Sequence, residues 1–340
     1  MIALVIALKD LRLLSRDPGA IFWALVFPLS FAVLFGAVFP SAQTRPDLEV
    51  GMSGDLSRID ALRRNGLSVT PRSKADGLAN VRSGNALAEI DVTPAGVEIT
   101  TDPMHAAEGG AIDAATTRAF ASGLSGMPSV HRVSASPSSS PSGFAIAFPA
   151  AILWGLIGCA GAFATASIAE RRAGTHARLC AAPVSAATLL GGKLIACLIA
   201  CVVDSALLLV IARVAFGVPF EQFSFYGLPF VILCCAICFA GITVFLGVLG
   251  KSEQSVGGAG WAVLLLFAMI GGAMVPLSTM PHWLREASSV SPVKWGIVAL
   301  EGATFRGLSF RELMPACGVL LAIGFASVAA AAARIARTTP

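Results

Sequence analysis

The sequence predicts a polytopic α-helical membrane protein with a small α/β domain between its first and second spans. Three observations predict it. Of the 340 residues, 56% are hydrophobic and 13% charged, against roughly 45–50% and about 25% in soluble chains. The apolar residues gather into six runs, each near the 20 or so residues that cross a bilayer. Finally, 20 of the 44 charged residues fall in a single block, 41–143. A soluble fold of this length cannot cover so much apolar surface, so most of it must face lipid.

Residues 1–19 read as an amphipathic interface helix. Leu4, Leu8, Leu11 and Leu14 recur at helical spacing, with Lys9, Arg12 and Arg16 on another face, and Pro18-Gly19 breaks the helix from the next apolar run. Such a helix lies along the membrane surface. The first span is 20–40, "AIFWALVFPLSFAVLFGAVFP". It exceeds the roughly 7–15-residue core of a secretory leader, and "VFPSAQ" offers no small-x-small cleavage site, so it reads as a retained span.

The block 41–143 changes character. "DLEVGMSGD" suggests a strand entering a turn and "LSRIDALRRNGLSV" a helix. "NALAEIDVTPAGVEITTD" suggests a strand pair about a Pro-Ala-Gly turn, and "AAEGGAIDAATTRAFASGL" a second helix. "SASPSSSPSG" closes it as a tether. None of the eight cysteines lies here, which excludes a disulfide-stapled module. Cys234, Cys235 and Cys238 sit in an apolar run without further metal ligands, and read as small packing residues.

Residues 144–340 form the rest of the transmembrane domain, with spans at 144–169, 189–216, 227–250, 256–279 and 313–333. An outer helical segment, 281–311, is too polar and proline-broken to cross, and Trp283 and Trp295 suit the interfacial belt. An even number of spans puts both termini on one side. That side holds ten Lys or Arg residues: Lys9, Arg12, Arg16, Arg171, Arg172, Arg178, Lys193, Lys251, Arg334 and Arg337. The short loops opposite hold four: Arg285, Lys294, Arg306 and Arg311. The positive-inside bias therefore places the termini in the cytoplasm and 41–143 outside it.

The loop 170–188 begins "ERRAGTHARLCAAP". Glu170, Arg171 and Arg172 end a span, Gly174 permits a turn, and Thr175 is a good N-cap. Arg178 and Leu179 then fall on about two helical turns that Pro183 stops. A short basic helix between two breakers, held on two spans, reads as a docking element; a positive-inside anchor is its plainer alternative.

Here the chain resembles the permease subunits of type-2 ATP-binding-cassette (ABC) exporters. "ERRAGTHARLCAAPVSAATLLGGKL" matches that family's pattern at Glu170, Arg171, Gly174, Thr175, Leu179, Pro183, Val184, Ser185, Gly192 and Lys193. "GGAMVPLSTMPHWLREASSVSPVKWGIVAL" matches a second segment at Pro276, Met280, Pro281, Trp283, Pro292 and Trp295. The order of parts agrees over essentially the whole chain. Ala173 and His176 replace residues that are often acidic there, which makes this loop unusually basic. The resemblance implies a multi-pass subunit of a bacterial cell membrane whose 170–188 loop is a coupling helix seated in a cytoplasmic ABC ATPase. It also implies two such ATPases, a second permease subunit, identical or related, and outward movement of an amphipathic, lipid-like or drug-like compound. ATP and Mg would be bound by the ATPase, with no cofactor in this chain.

The chain's own motifs predict no enzyme. "GVLGKS" (247–252) has two residues between its glycines where a phosphate-wrapping loop needs four. No HExxH or GxSxG occurs, the four histidines are scattered, and nothing marks a nucleic-acid partner. Asp204 lies deep in an apolar run, where charge is costly. It reads as a polar point on a pathway, a subunit-interface hydrogen bond, or a protonated structural acid. Trp261, Phe267, Met269 and Met274 read as lining for a bulky apolar substrate or as lipid-facing packing. A self-sufficient secondary transporter or channel is the alternative, but it predicts inverted repeats and several intramembrane acids.

Overall fold

Apolar helices and one mixed sheet make up the computed structural model, which describes residues 2–38, 48–84, 86–93, 96–102, 106–121, 130–134, 143–172, 186–219, 224–249, 260–275, 277 and 280–338. Helix α1 (Ile2–Leu14) precedes a composite helix: α2 (Pro18–Ile21), a π-helical segment (Phe22–Val26) and α3 (Phe27–Val38). Asp17 caps it by accepting from the Gly19 and Ala20 amides at 2.9 and 3.3 Å, since the first amides of a helix lack internal partners. The long helices α7 (Gly143–Arg172), α8 (Ala186–Phe216), α9 (Gly227–Leu249) and α13 (Phe310–Thr338) pack with α2–α3 around one apolar core. Trp154 and Phe239 lie fully buried within it.

Small residues let these helices approach. A Cβ added at Gly241 on α9 would meet the Gly324 carbonyl of α13 at 2.5 Å, and one at Gly158 on α7 would collide with the Trp23 carbonyl in the π-helical segment. Among the described residues, five helices are long and apolar enough to cross a membrane: Pro18–Ala37, Gly143–Ala166, Gly191–Phe216, Gly227–Leu249 and Phe310–Arg334. The run expected to span at 256–279 contains α10 (Gly260–Gly271), which ends at a glycine pair where Gly272 takes φ +96°. Twelve residues rise about 18 Å, short of the roughly 30 Å of a hydrocarbon core. Two shorter helices follow: α11 (His282–Ala287) and α12 (Pro292–Thr304).

Between α3 and α7 lies a five-stranded sheet in the order β2-β1-β3-β4-β5: β1 (Glu49–Gly54), β2 (Ser68–Pro71), β3 (Ala88–Thr93), β4 (Gly96–Thr101) and β5 (Val130–Ser134). Only β3–β4 is antiparallel, pairing Ile90 with Ile99; the other neighbours run parallel. Alternation sends Val50, Met52, Ile90 and Ile99 to one face, into a core shared with Leu62 of α4 (Ile59–Arg64) and Ile112 of α6 (Ala106–Ala121). The opposite face, beneath α5 (Lys74–Arg82), is polar: Ser53, Glu89, Asp91 and Thr100 are all buried there.

Ion pairs from Arg285 to Glu49 and from Arg306 to Asp102 join the sheet domain to α11 and to the link between α12 and α13, at one end of the helix bundle. The end of α7, the start of α8 and α1 share the other, far end.

Candidate functional site

The far end gathers four charges from three helices. Glu170 closes α7, Lys193 sits in the second turn of α8, and α1 supplies Lys9 and Asp10. Lys193 Nζ donates to Glu170 Oε2 at 2.6 Å and lies 3.4 Å from Asp10 Oδ2. Lys9 Nζ lies 2.9 Å from Asp10 Oδ1 and pairs with Glu170 Oε1. Each lysine thus touches both acids. Asp10 and Glu170 are buried, so either acid alone would pay heavily for lost water; alternated with two ammonium groups, neither is left uncompensated. Burial pulls the Glu170 carboxyl up, but Lys193 and Lys9 outweigh it and hold it below the usual carboxylate range. Burial likewise opposes the Lys9 charge, and Glu170 and Asp10 overcome it, raising Lys9 above an ordinary lysine.

Local sequence explains the gathering. A Cβ at Gly192 would meet the Ala3 carbonyl at 2.8 Å and Ile6 at 3.0 Å, so glycine there lets α1 lie against α8. Lys193, the next residue, then falls beside Asp10. The packed face of α1 is consequently Ile6, Ala7 and Asp10. Leu11 and Leu14 pack partly on the core, while Leu4 and Leu8 of the predicted apolar stripe stay exposed, with Arg12 and Arg16. An acid and two small or branched residues thus fit the α8 surface, while Leu4 and Leu8 stay on the open side.

The knot stands at both roots of the segment 173–185. Arg171 and Arg172 complete α7, and α8 resumes at Ala186. The predicted docking residues Gly174, Thr175, Arg178, Leu179 and Pro183 lie outside the described residues.

The expected pathway residues do not converge on one cavity. Trp261 stacks on Trp23, ring centroids 4.9 Å apart, and covers Gly161. Phe267 is half-buried, and its carbonyl accepts from Ser291 Oγ at 2.7 Å. Met269 is exposed. Asp204 is buried against Gly155 and near the Ala24 carbonyl of the π-helical segment; its Oδ2 has no hydrogen-bond partner among the described residues.

At the opposite end, Trp283 is exposed, while Trp295 is half-buried and donates from Nε1 to the Ser289 carbonyl at 3.0 Å. Sequence reasoning used the nearby cations only to assign a side, and the structure makes them joints. Arg306, just past α12, donates to Asp102 Oδ2 at 3.1 Å and Glu301 Oε2 at 3.2 Å. Arg285 on α11 reaches Glu49 Oε2 on β1 at 2.5 Å. Both tie the sheet domain to the helices. No sequence signal pairs residues so far apart.

These features define a multi-pass helical membrane protein with an inserted sheet domain and a charged knot under one interhelical segment. Residues 90–333 match the family model described as "ABC-2 family transporter protein", and the chain belongs to that family. It is also 26% identical over 178 residues to the inner membrane transport permease YhhJ of Escherichia coli (strain K12), and equally to that of Shigella flexneri. Each match covers 51% of this chain and 46% of the relative, so the chain spans about half the length of these curated relatives.

Proposed function

We propose that this chain is the transmembrane subunit of an ATP-driven ABC exporter. In this reading six spans cross a bacterial cell membrane, both termini are cytoplasmic, and 41–143 stands outside. The loop 170–188 carries the coupling helix, with Arg171, Arg172 and Arg178 facing a cytoplasmic ATPase, while Gly174, Thr175, Leu179 and Pro183 shape it. Two ATPases bind ATP and Mg, and this chain supplies no nucleotide site. A second permease subunit, identical or related, completes the pathway for an amphipathic, lipid-like or drug-like compound.

The observation that carries the reading is the knot of Lys9, Asp10, Glu170 and Lys193. A loop that transmits force needs stiff roots. The knot ties both roots to each other and to α1, so displacement of the segment moves three helices together rather than bending the segment alone. Burial and mutual pairing give such a joint its rigidity.

The test is purification of the chain from native membranes in mild detergent, with ATP hydrolysis measured in the eluate. Wild type is expected to carry an ATP-hydrolysing subunit, and Thr175→Pro with Arg178→Glu to lose it. Folded wild-type chain that captures no ATPase activity overturns the proposal and brings the self-sufficient transporter forward.

A further inference from the structure

The joint between the sheet domain and the outer helices forms an open polar cavity of about 240 Å³. At roughly 30 Å³ per water, that is room for an anionic headgroup rather than a single ion. Glu49, Thr70 and Arg72 line it from the domain; Arg285, Glu286 and Lys294 line it from α11 and α12.

The charges in this cavity do not cancel locally. Glu49 is engaged with Arg285. Lys294 Nζ donates to the Arg285 carbonyl at 3.1 Å and to Ser289 Oγ at 2.8 Å, neither of them an anion. An ammonium has three hydrogens, so one remains for the cavity. Burial, reinforced by the neighbouring Arg285 charge, depresses the Lys294 pKa, as expected of a cation short of a counter-ion. The exposed Arg72 guanidinium has no hydrogen bond or ion pair among the described residues, although its charge acts on Glu89 from a distance. An anion bridging Arg72 and Lys294 would supply what both lack.

The surroundings suit an amphiphile. Ile297, one turn beyond Lys294 on α12 or about 4.5 Å along the axis, lines a second, apolar cavity with Phe31, Phe35, Ile146 and Met274. That cavity measures only about 30 Å³ and Glu301 also lines it, so it sets apolar side chains one turn from Lys294 without enclosing a whole chain.

We infer that the cavity between the sheet domain and α11–α12 binds the phosphate or carboxylate headgroup of an amphiphile through Lys294 and Arg72. Identifying that headgroup with the exported compound rests on the exporter reading. The binding itself does not, and is measured without any ATPase.

The experiment is calorimetric titration of the full chain in dodecyl maltoside with three probes: dihexanoyl phosphatidic acid, dihexanoyl phosphatidylcholine and inorganic phosphate. Saturable binding of the phosphatidic acid is expected, weakened at least about tenfold by Lys294→Gln with Arg72→Gln, the scale of losing one charge-assisted hydrogen bond. Lys294→Arg with Arg72→Lys should retain it, which separates charge from misfolding. Phosphate binding as tight as phosphatidic acid, and lost in the same variant, supports the site and makes a free anion its occupant. Weaker phosphate binding makes the occupant a lipid-like headgroup. Absence of saturable binding by both anions, equal binding of phosphatidylcholine, or binding unchanged in the Gln variant overturns the inference. ATPase capture is read separately, so failure here and failure of the exporter reading are distinguishable.

Discussion

The two ends of this molecule solve the problem of a charged joint in opposite ways. At the domain end, the Arg306 side chain is 8% exposed and faces Asp102 at 2%, with Glu301 as a second acid and the Arg82 carbonyl as a further acceptor. At the far end, two lysines alternate with two acids, and the Lys9 side chain is 38% exposed. A planar guanidinium buried between fixed acceptors has one good geometry. Flexible ammonium groups at the rim of water have several. The first joint is a single buried clamp; the second is a knot held by redundancy, since each lysine touches both acids.

The comparison breaks first on Arg306. Arg306→Ala leaves Asp102 buried without its cation, and removing one partner of a buried pair costs about 3–5 kcal/mol. Thermal unfolding in detergent should show this as the largest loss, and limited proteolysis should release the sheet domain. If Lys193→Ala costs more, the ranking of the two joints is reversed.

A lone buried acid within the sheet domain sharpens the contrast. Glu89 is 1% exposed, wedged where a Cβ at Gly51 or Gly77 would strike its carboxyl. The nearby Ser53 Oγ donates instead to Asp91 Oδ1 at 2.9 Å, and neither Glu89 oxygen has a partner among the described residues. Burial pushes its pKa up to about 7. A carboxyl with a raised folded pKa binds more protons folded than unfolded. Its contribution is therefore complete below the unfolded value near 4.5 and is lost as pH rises through 7. Glu89→Gln should abolish that decline and stabilise the protein at pH 8 by up to about 3 kcal/mol, read from melting curves between pH 4.5 and 8. A decline that persists in the variant assigns the titration elsewhere.

The far end should respond less. Lys193→Ala leaves Lys9 to serve both acids and should cost about 2 kcal/mol, the range of a charge-assisted hydrogen bond. Lys9→Ala removes the more exposed cation and should cost under about 1 kcal/mol. Equal effects would mean that the two lysines share the load.

Much of this architecture was legible because lipid imposes a simple rule: every backbone polar group must be satisfied inside its own segment, so spans announce themselves as apolar runs. Alternation likewise exposed the β3–β4 pair, where Ile90 faces Ile99. The joints were not legible. Lys9 meets Glu170 across 161 residues and Lys193 meets Asp10 across 183, and no local pattern encodes such pairings. Arg306 illustrates the loss: on the sequence it was one of four cations weighed to orient the chain, whereas in space it is a buried fastener. The face of α1 that packs on α8 was hidden for a related reason, since helical spacing shows that a face is apolar but not which face has a neighbour. Glycines carried more than their composition suggested; Gly192, recognised only as part of a motif, lets α1 close on α8.

The most direct measurement of the central claim is a charge swap across the knot, read as ATP-hydrolysing activity captured from native membranes. Glu170→Lys leaves three cations and one acid; Lys193→Glu leaves three acids and one cation; together they restore two of each. If the knot sets the coupling segment, each single swap should reduce capture about tenfold, equivalent to about 1.4 kcal/mol, and the double swap should recover it. Single swaps that capture at the wild-type level, or a folded double variant that captures nothing, would contradict the account.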